Sequence, residues 1–226
     1  MSKAFYHRCY QIFARLVRGL FRVRVIGAEN EPDHGPFLIC ANHLSDCDVV
    51  IIAASLRKNQ VRYLAKAELF KVPLLRQLIT ALGAFPVRRG ENDVGALKNT
   101  IRILQGGDVV GIYPQGTRRA GVHPGDTPIK NGLGMVAYRA QTPVLPVGLI
   151  ARGFRILPFR RTTVVIGKPI PFEALGIDAP NQEQYRAATQ LAFDQVISLI
   201  DENGGADLVP RLDAPLPEKE SGRKRR

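Results

Sequence analysis

Along this 226-residue chain the spacing of apolar positions changes repeatedly, from a helical period to short extended runs and back. Within residues 3–21, Phe5, Tyr6, Cys9, Ile12, Phe13, Leu16, Val17 and Leu20 recur at three- and four-residue steps with arginines between them. That pattern predicts an amphipathic helix. Such a helix either packs on a core or lies in a membrane interface, with aromatics at headgroup depth and arginines towards anionic lipid. Both uses hold if two of its sides are apolar. The periodicity then divides residues 23–205 into alternating segments. Strands are predicted at 22–25, 36–41, 62–65, 85–88, 108–113, 144–149 and 162–166. Helices are predicted at 48–56, 71–82, 93–104, 132–139 and 181–203.

The punctuation supports these elements. Pro73 falls in the first turn of the helix at 71–82, where the missing N–H costs nothing. Gly106-Gly107 and Gly204-Gly205 follow two helices as C-terminal stops. Leu191, Val196, Ile197 and Ile200 are assigned to the inner face of the last helix. Strands alternating with helices of about ten residues predict an α/β fold, with a mainly parallel central sheet covered by helices on both faces. The expected organisation is an amphipathic helix at 1–22, one domain at 23–205, and a flexible basic tail at 206–226, rich in proline and charge.

Composition narrows the function. The chain is 45% hydrophobic and 23% charged, ordinary for a globular domain, so wholesale disorder is excluded. Its net charge of +12 calls for an anionic partner. The excess lies mainly at the ends: residues 1–24 hold six bases and no acid, and residues 210–226 hold six bases against three acids. No nucleic-acid motif or aromatic stacking platform accompanies these ends, so an anionic membrane surface is expected and nucleic acid is not. No apolar run reaches the roughly 18–20 residues needed to cross a bilayer. Cys9, Cys40 and Cys47 are odd in number and unpatterned, which suits reduced thiols in the cytosol. Cys47 is read as a bystander, because nothing else in the sequence demands a covalent thiol step.

The chemistry concentrates in a few short segments. In Asn42-His43-Leu44-Ser45-Asp46-Cys47-Asp48 a histidine ends a strand, and a carboxylate opens a helix five residues later. Across such a turn an imidazole and the group that orients it can meet. Asp46 or Asp48 also suits the helix N-terminus as a cap. A second segment, Gly83 through Arg89, presents Arg88 and Arg89 at the end of an extended run. The guanidinium fork suits phosphate. A third, Tyr113-Pro114-Gln115-Gly116-Thr117-Arg118, ends an apolar strand in a turn bearing an amide, a hydroxyl and a guanidinium. The fourth, Val144-Leu145-Pro146-Val147, is an apolar strand carrying a proline, a residue usual at sheet edges. In an open α/β sheet, ligands sit outside the carboxyl ends of the strands, where the first three segments converge.

In their order and spacing these four segments resemble the motifs of the 1-acylglycerol-3-phosphate acyltransferase family of glycerolipid synthesis. The resemblance runs from about Arg24 to Pro171. Asn42-His43 to Asp48 matches the family's His-x4-Asp motif, Gly83–Arg89 its second block, Tyr113–Arg118 its third and Val144–Val147 its fourth. It implies transfer of a fatty acyl group from an acyl thioester to the sn-2 hydroxyl of lysophosphatidic acid. His43 is then the base and Asp48 its partner. Arg89 and Arg118 hold phosphate, Gln115, Gly116 and Thr117 shape that pocket, and Pro146 shapes the acyl side. Neither metal nor cofactor is implied; the donor is acyl-CoA or acyl-carrier protein as co-substrate, and the acceptor a lysophospholipid. The implied location is cytoplasmic, peripheral on the inner face of the cell membrane. The third block departs from the family pattern at Gln115, where glutamate is usual. That leaves two alternatives: another lyso-acceptor, or a catalytically silent lipid- or acyl-carrier-binding protein.

Overall fold

The computed structural model describes residues 3–81, 83–87 and 94–212. Seven strands form one sheet: β1 (Arg24–Ile26), β2 (Phe37–Ala41), β3 (Val61–Lys66), β4 (Ala84–Val87), β5 (Val109–Ile112), β6 (Val144–Ala151) and β7 (Thr162–Ile166). Their spatial order is β1-β7-β6-β2-β5-β3-β4. Every neighbouring pair is parallel except β6 with β7. Six helices accompany them among the described residues: α1 (Lys3–Leu20), α2 (Asp48–Ser55), α3 (Pro73–Ala81), α4 (Val94–Gln105), α5 (Gly132–Ala140) and α6 (Gln182–Ile200).

The central strands explain the sheet's burial. All five residues of β2 and all eight of β6 are buried, so both faces of the sheet are covered. Continuous apolar runs, without polar alternation, are what such a position requires. α6 lies against β2, β6 and β7 and packs on α5, while α1 packs on α2. The pattern-derived elements therefore recur with their ends shifted by a few residues, as expected where caps and fraying set the boundary. Pro73 is the first residue of α3. At the end of α4, Gly107 takes φ 87, and the Asp108 N–H reaches back to the Ile103 carbonyl at 3.2 Å, a glycine C-terminal stop.

Two expectations change, and one reading left open, that of Pro146, is decided. Leu191 points to solvent, because the buried stripe of α6 runs through Tyr185, Ala188, Ala192, Phe193, Val196 and Ile200. Leu191 falls off that stripe by a full helical step. Pro146 sits inside the sheet, not at an edge: it is register partner of Cys40, and its carbonyl accepts the Gly167 N–H at 2.9 Å. The start of the expected tail is docked. The Arg211 Nε donates to Asp126 at 2.9 Å, the Leu212 N–H donates to the other Asp126 oxygen at 3.0 Å, and Leu208 and Val209 pack on the core. Residues 213–226 lie outside the described residues.

α1 resolves its own ambiguity. Ala14, Val17 and Phe21 are buried, and the Arg18 Nε donates to the Ala54 carbonyl at 2.6 Å. The opposite stripe of Ile12 and Leu16 stays 60% and 67% exposed. The helix therefore has two apolar sides, one packed and one open.

Candidate active site

Strand register builds the site. β2 and β5 pair in parallel from Phe37↔Val109 to Cys40↔Ile112, a constant offset of 72 residues. Past the strand ends the chains keep this offset. The His43 N–H donates to the Gln115 Oε1 at 2.6 Å, and Arg118 pairs with Asp46. The segment after β2 and the segment after β5 thus run side by side at the carboxyl edge of the sheet, where open α/β sheets bind ligands.

His43 is held at four points. Its N–H bonds Gln115, and its carbonyl accepts the Arg119 N–H at 2.8 Å. Its ring stacks on Tyr113, with centroids 4.2 Å apart and planes inclined by 17°. Its Nδ1 meets the Asp48 Oδ2 at 2.8 Å. One residue earlier, the buried Asn42 side chain bridges to β6, accepting the Leu149 N–H at 2.7 Å and donating to its carbonyl at 2.9 Å. These contacts fix the ring before any substrate arrives.

Asp48 serves the turn and the histidine together. Its carboxylate accepts the Leu44 N–H at 2.5 Å and the Ser45 N–H at 2.9 Å, closing the strand-to-helix turn. It is the first residue of α2, so the helix dipole favours its charge. Burial pushes the Asp48 carboxyl above the usual carboxylate range, while hydrogen bonds from His43, Ser45 and Leu44 pull against that shift. With only N–H donors around it, the carboxylate receives the Nδ1–H and leaves Nε2 as the basic nitrogen. Asp46, the other candidate partner, instead forms an exposed pair with Arg118.

Gln115 is buried and bonds only inside the protein. Its Oε1 takes the His43 N–H, and its Nε2 donates to the Thr127 Oγ1 at 2.7 Å. The Thr127 hydroxyl in turn donates to the Pro124 carbonyl at 2.6 Å. Gly116 turns the chain with φ 65 and is exposed, with the stem of Lys130 lying where a Cβ would point. Thr117 is half-buried beside it. The structure thus brings His43, Asp48, Gln115, Gly116, Thr117 and Arg118 to one edge. Pro146 lies deeper, level with Cys40 and packed on Gly167. Arg89 lies outside the described residues.

Several residues near the site lie outside the four segments, Tyr113 of the third excepted. Tyr113 and Tyr63 stack beneath His43, with centroids 6.4 Å apart, and burial pushes both phenols well above their ordinary range. Gly111 gives the Tyr63 ring its room: a Cβ there would lie 2.2 Å from the Tyr63 Cε1. His123 is fully buried, accepting the Gly125 N–H on Nδ1 at 3.1 Å and meeting Asp201 through Nε2 at 2.8 Å. The constant strand offset, applied beyond the strand ends, pairs His43 with Gln115 once β2 and β5 are neighbours. Cys47 packs against the core, and burial pushes the Cys40 thiol up, so Cys40 presents no reactive thiolate. Among the described residues no three metal-ligating side chains cluster, and no helix is long and apolar enough to cross a membrane.

Comparison with known proteins gives the family and the fold. Residues 22–150 match the family profile described as acyltransferase. A 1-acyl-sn-glycerol-3-phosphate acyltransferase of Bacillus subtilis (strain 168) is 29% identical over 179 residues, covering 78% of this chain and 87% of its own. A chloroplastic protein of that name from Arabidopsis thaliana is 26% identical over 180 residues, or 74% of this chain and 49% of its own. This chain therefore spans about half of that longer relative. The crystal structure of the 1-acyl-sn-glycerophosphate (LPA) acyltransferase, PlsC, from Thermotoga maritima superposes with a TM-score of 0.69. It shares 24% identity and covers 87% of this chain and 79% of its own, a likeness of fold.

Proposed function

This chain belongs to the acyltransferase family, and from that premise we propose that it transfers a fatty acyl group from an acyl thioester to the sn-2 hydroxyl of lysophosphatidic acid, giving phosphatidic acid. The observation that carries the proposal is the His43 Nδ1 to Asp48 Oδ2 contact of 2.8 Å, which leaves Nε2 as the basic nitrogen. Nε2 takes the proton of the acceptor hydroxyl as its oxygen attacks the thioester carbonyl. A C–O bond forms, the C–S bond breaks, and His43 returns the proton to the departing thiolate. Asp48 steadies the imidazolium between these two transfers. The chemistry is direct, with no covalent enzyme intermediate.

Arg118 and Arg89 are the proposed phosphate partners, with Gly116 and Thr117 shaping the pocket between base and phosphate. The Asp46 partner of Arg118 is mostly exposed, so a bound phosphate displaces it at little cost. Gln115 acts behind this pocket by holding His43. The relatives' printed names support lysophosphatidic acid as acceptor; the acyl donor is proposed as coenzyme A or acyl-carrier protein. The open apolar stripe of α1 and the basic N-terminal segment support a peripheral position on the cytoplasmic face of the cell membrane.

The test is thiol release by purified protein given acyl thioester and lysophosphatidic acid, set against glycerol 3-phosphate and other lyso-acceptors. Thiol release dependent on lysophosphatidic acid, lost in His43→Ala, is the expected result. Full activity in His43→Ala would refute the mechanism, and preference for another acceptor would refute the substrate.

A further inference from the structure

The connection from β6 to β7 presents Leu157-Pro158-Phe159-Arg160-Arg161, five exposed residues in a row. Phe159 is 73% exposed and Leu157 53%. The register places this loop at the same edge of the sheet as His43. β6 pairs with β2 up to Ala41↔Val147 and then overshoots it by four residues, and the antiparallel β7 begins at that far end. β1 pairs in parallel with β7 from Arg24↔Thr163, so the end of α1, which feeds β1, reaches that edge too. The backbone joins the two: the Phe159 N–H donates to the Leu20 carbonyl at 2.6 Å, and the Thr162 N–H to the Phe21 carbonyl at 3.1 Å. The loop and the open stripe of α1 therefore form one surface. With β1 three strand spacings from β2, that surface begins about 14 Å to the side of the site.

The turn itself is informative. The Arg160 N–H bonds the Leu157 carbonyl at 3.3 Å, placing Pro158 and Phe159 at the two central positions. Phe159 has φ 61, at a position where glycine or asparagine is the unstrained residue. A bulky exposed aromatic held there strains the backbone with no return in packing within the chain. The charge around it has one sign. Arg15, Arg22, Arg155, Arg160 and Arg161 are all exposed, and neither residues 3–24 nor residues 152–161 contain a carboxylate. A second copy of this surface would meet it as like charge, whereas an anionic bilayer complements both its apolar crest and its arginine rim.

We propose that the loop over residues 157–161 is a second membrane-contact element that, together with the open face of α1, seats the His43 edge of the sheet on an anionic lipid surface. Phe159 and Leu157 enter the boundary between headgroups and acyl chains, and Arg160 and Arg161 face lipid phosphates. Two contacts fix an orientation where a single helix leaves rotation about its axis, and this orientation turns the site towards membrane-borne acceptor. The purpose of the device rests on the reading of the acceptor as a membrane lipid; its test does not.

The test is sedimentation of the full chain with vesicles of phosphatidylcholine and phosphatidylglycerol in equal parts, alongside thermal unfolding. Phe159→Gly is expected to weaken binding about tenfold, as loss of one inserted aromatic implies, while its melting temperature stays level or rises because the strain is relieved. Leu157→Ser weakens binding less. The double variant Arg160→Gln/Arg161→Gln loses binding to the anionic vesicles and not to pure phosphatidylcholine. Thiol release with a short-chain, water-soluble acceptor stays at the wild-type level in all three. Absence of that activity in the wild type would count against acyl transfer while leaving the vesicle result standing. Wild-type binding by Phe159→Gly would overturn the proposal, as would a dimer in solution that Phe159→Gly dissociates.

Discussion

The side-chain carbonyl of Gln115 accepts the main-chain N–H of His43 at 2.6 Å, so the residue that departs from the family pattern is the one that seats the proposed base. An amide fits this place because it must do two opposite things. It accepts from His43 and donates to Thr127, whose own hydrogen goes to Pro124. Gln115→Glu keeps the first contact and sets a carboxylate oxygen against the Thr127 oxygen. Either those lone pairs oppose each other or the Pro124 carbonyl loses its donor. We expect a loss of about 1–3 kcal/mol of stability by urea denaturation, a lower kcat, and an unchanged ranking of acceptors. An altered ranking would mean that Gln115 faces the acceptor.

Asp48→Asn tests the orientation of His43 together with the turn that Asp48 closes. The Oδ2 that meets His43 also accepts the Leu44 and Ser45 N–H groups, so an amide that turns its NH2 towards His43 forces the tautomer protonated on Nε2, keeps its oxygen for Ser45 and gives up the Leu44 bond. Thiol release should fall by about 10⁴-fold, as expected when a histidine base is locked in the wrong tautomer. Stability should behave differently. The folded-state pKa of Asp48 is raised by burial, so its contribution is present at low pH and lost as pH rises through the folded value. Relative to Asp48→Asn, the wild type therefore gains stability as pH falls through the window just above the ordinary carboxylate range. Urea titrations of both proteins from neutral to acid pH check the sign. An opposite slope would mean that the hydrogen bonds outweigh burial.

The parts of this site that depend on local order were legible in the sequence. An apolar run ending in Asn42-His43, with Asp48 opening a helix, forces the imidazole and carboxylate across one turn. The Tyr113–Arg118 segment likewise had to emerge at a strand end. What stayed hidden depends on strand order. No local pattern places β5 beside β2, so the contacts of Gln115 with His43 and of Arg118 with Asp46 followed only once that pairing was known. Thr127, His123 and the docked Arg211 belong to loops that carry no periodicity. Leu191 lies off the buried face because, five residues before Val196, it sits about 140° around the helix from it, and small Ala188 and Ala192 occupy the buried line instead. A place inside the sheet suits Pro146 because the β6–β7 ladder covers Val147–Ala151 and stops one residue short of the missing N–H.

Arg118 is paired with Asp46, and on the proposed reading this pair competes with phosphate. Asp46→Asn removes the competitor without touching His43 or Asp48. Because both partners are largely exposed, stability should move by no more than about 0.5 kcal/mol. The KM for a phosphate-bearing acceptor should drop by roughly twofold to fivefold at constant kcat, the range given by loss of a screened charge pair. Arg118→Gln should raise the same KM. An Asp46→Asn enzyme with wild-type KM, alongside a wild-type response of Arg118→Gln, would remove Arg118 from the phosphate site.

The floor of the site is set by Gly111. Its backbone lies beneath the Tyr63 ring, which stacks on Tyr113, which stacks on His43. A methyl group at Gly111 would sit 2.2 Å from the Tyr63 Cε1, so Gly111→Ala must displace the tyrosine. Overpacking of this kind costs about 1–3 kcal/mol, and here the shift passes through Tyr113 to the base. Gly111→Ala should therefore lower kcat more than it raises KM. Tyr63→Leu opens room over Gly111 and leaves Tyr113 in place, with a cavity cost of its own. In the double variant the two steric errors offset each other, and stability and kcat should both exceed those expected from adding the single effects. Denaturation and thiol-release rates for the four proteins close this cycle. Strict additivity would show that the stack does not transmit the displacement to His43.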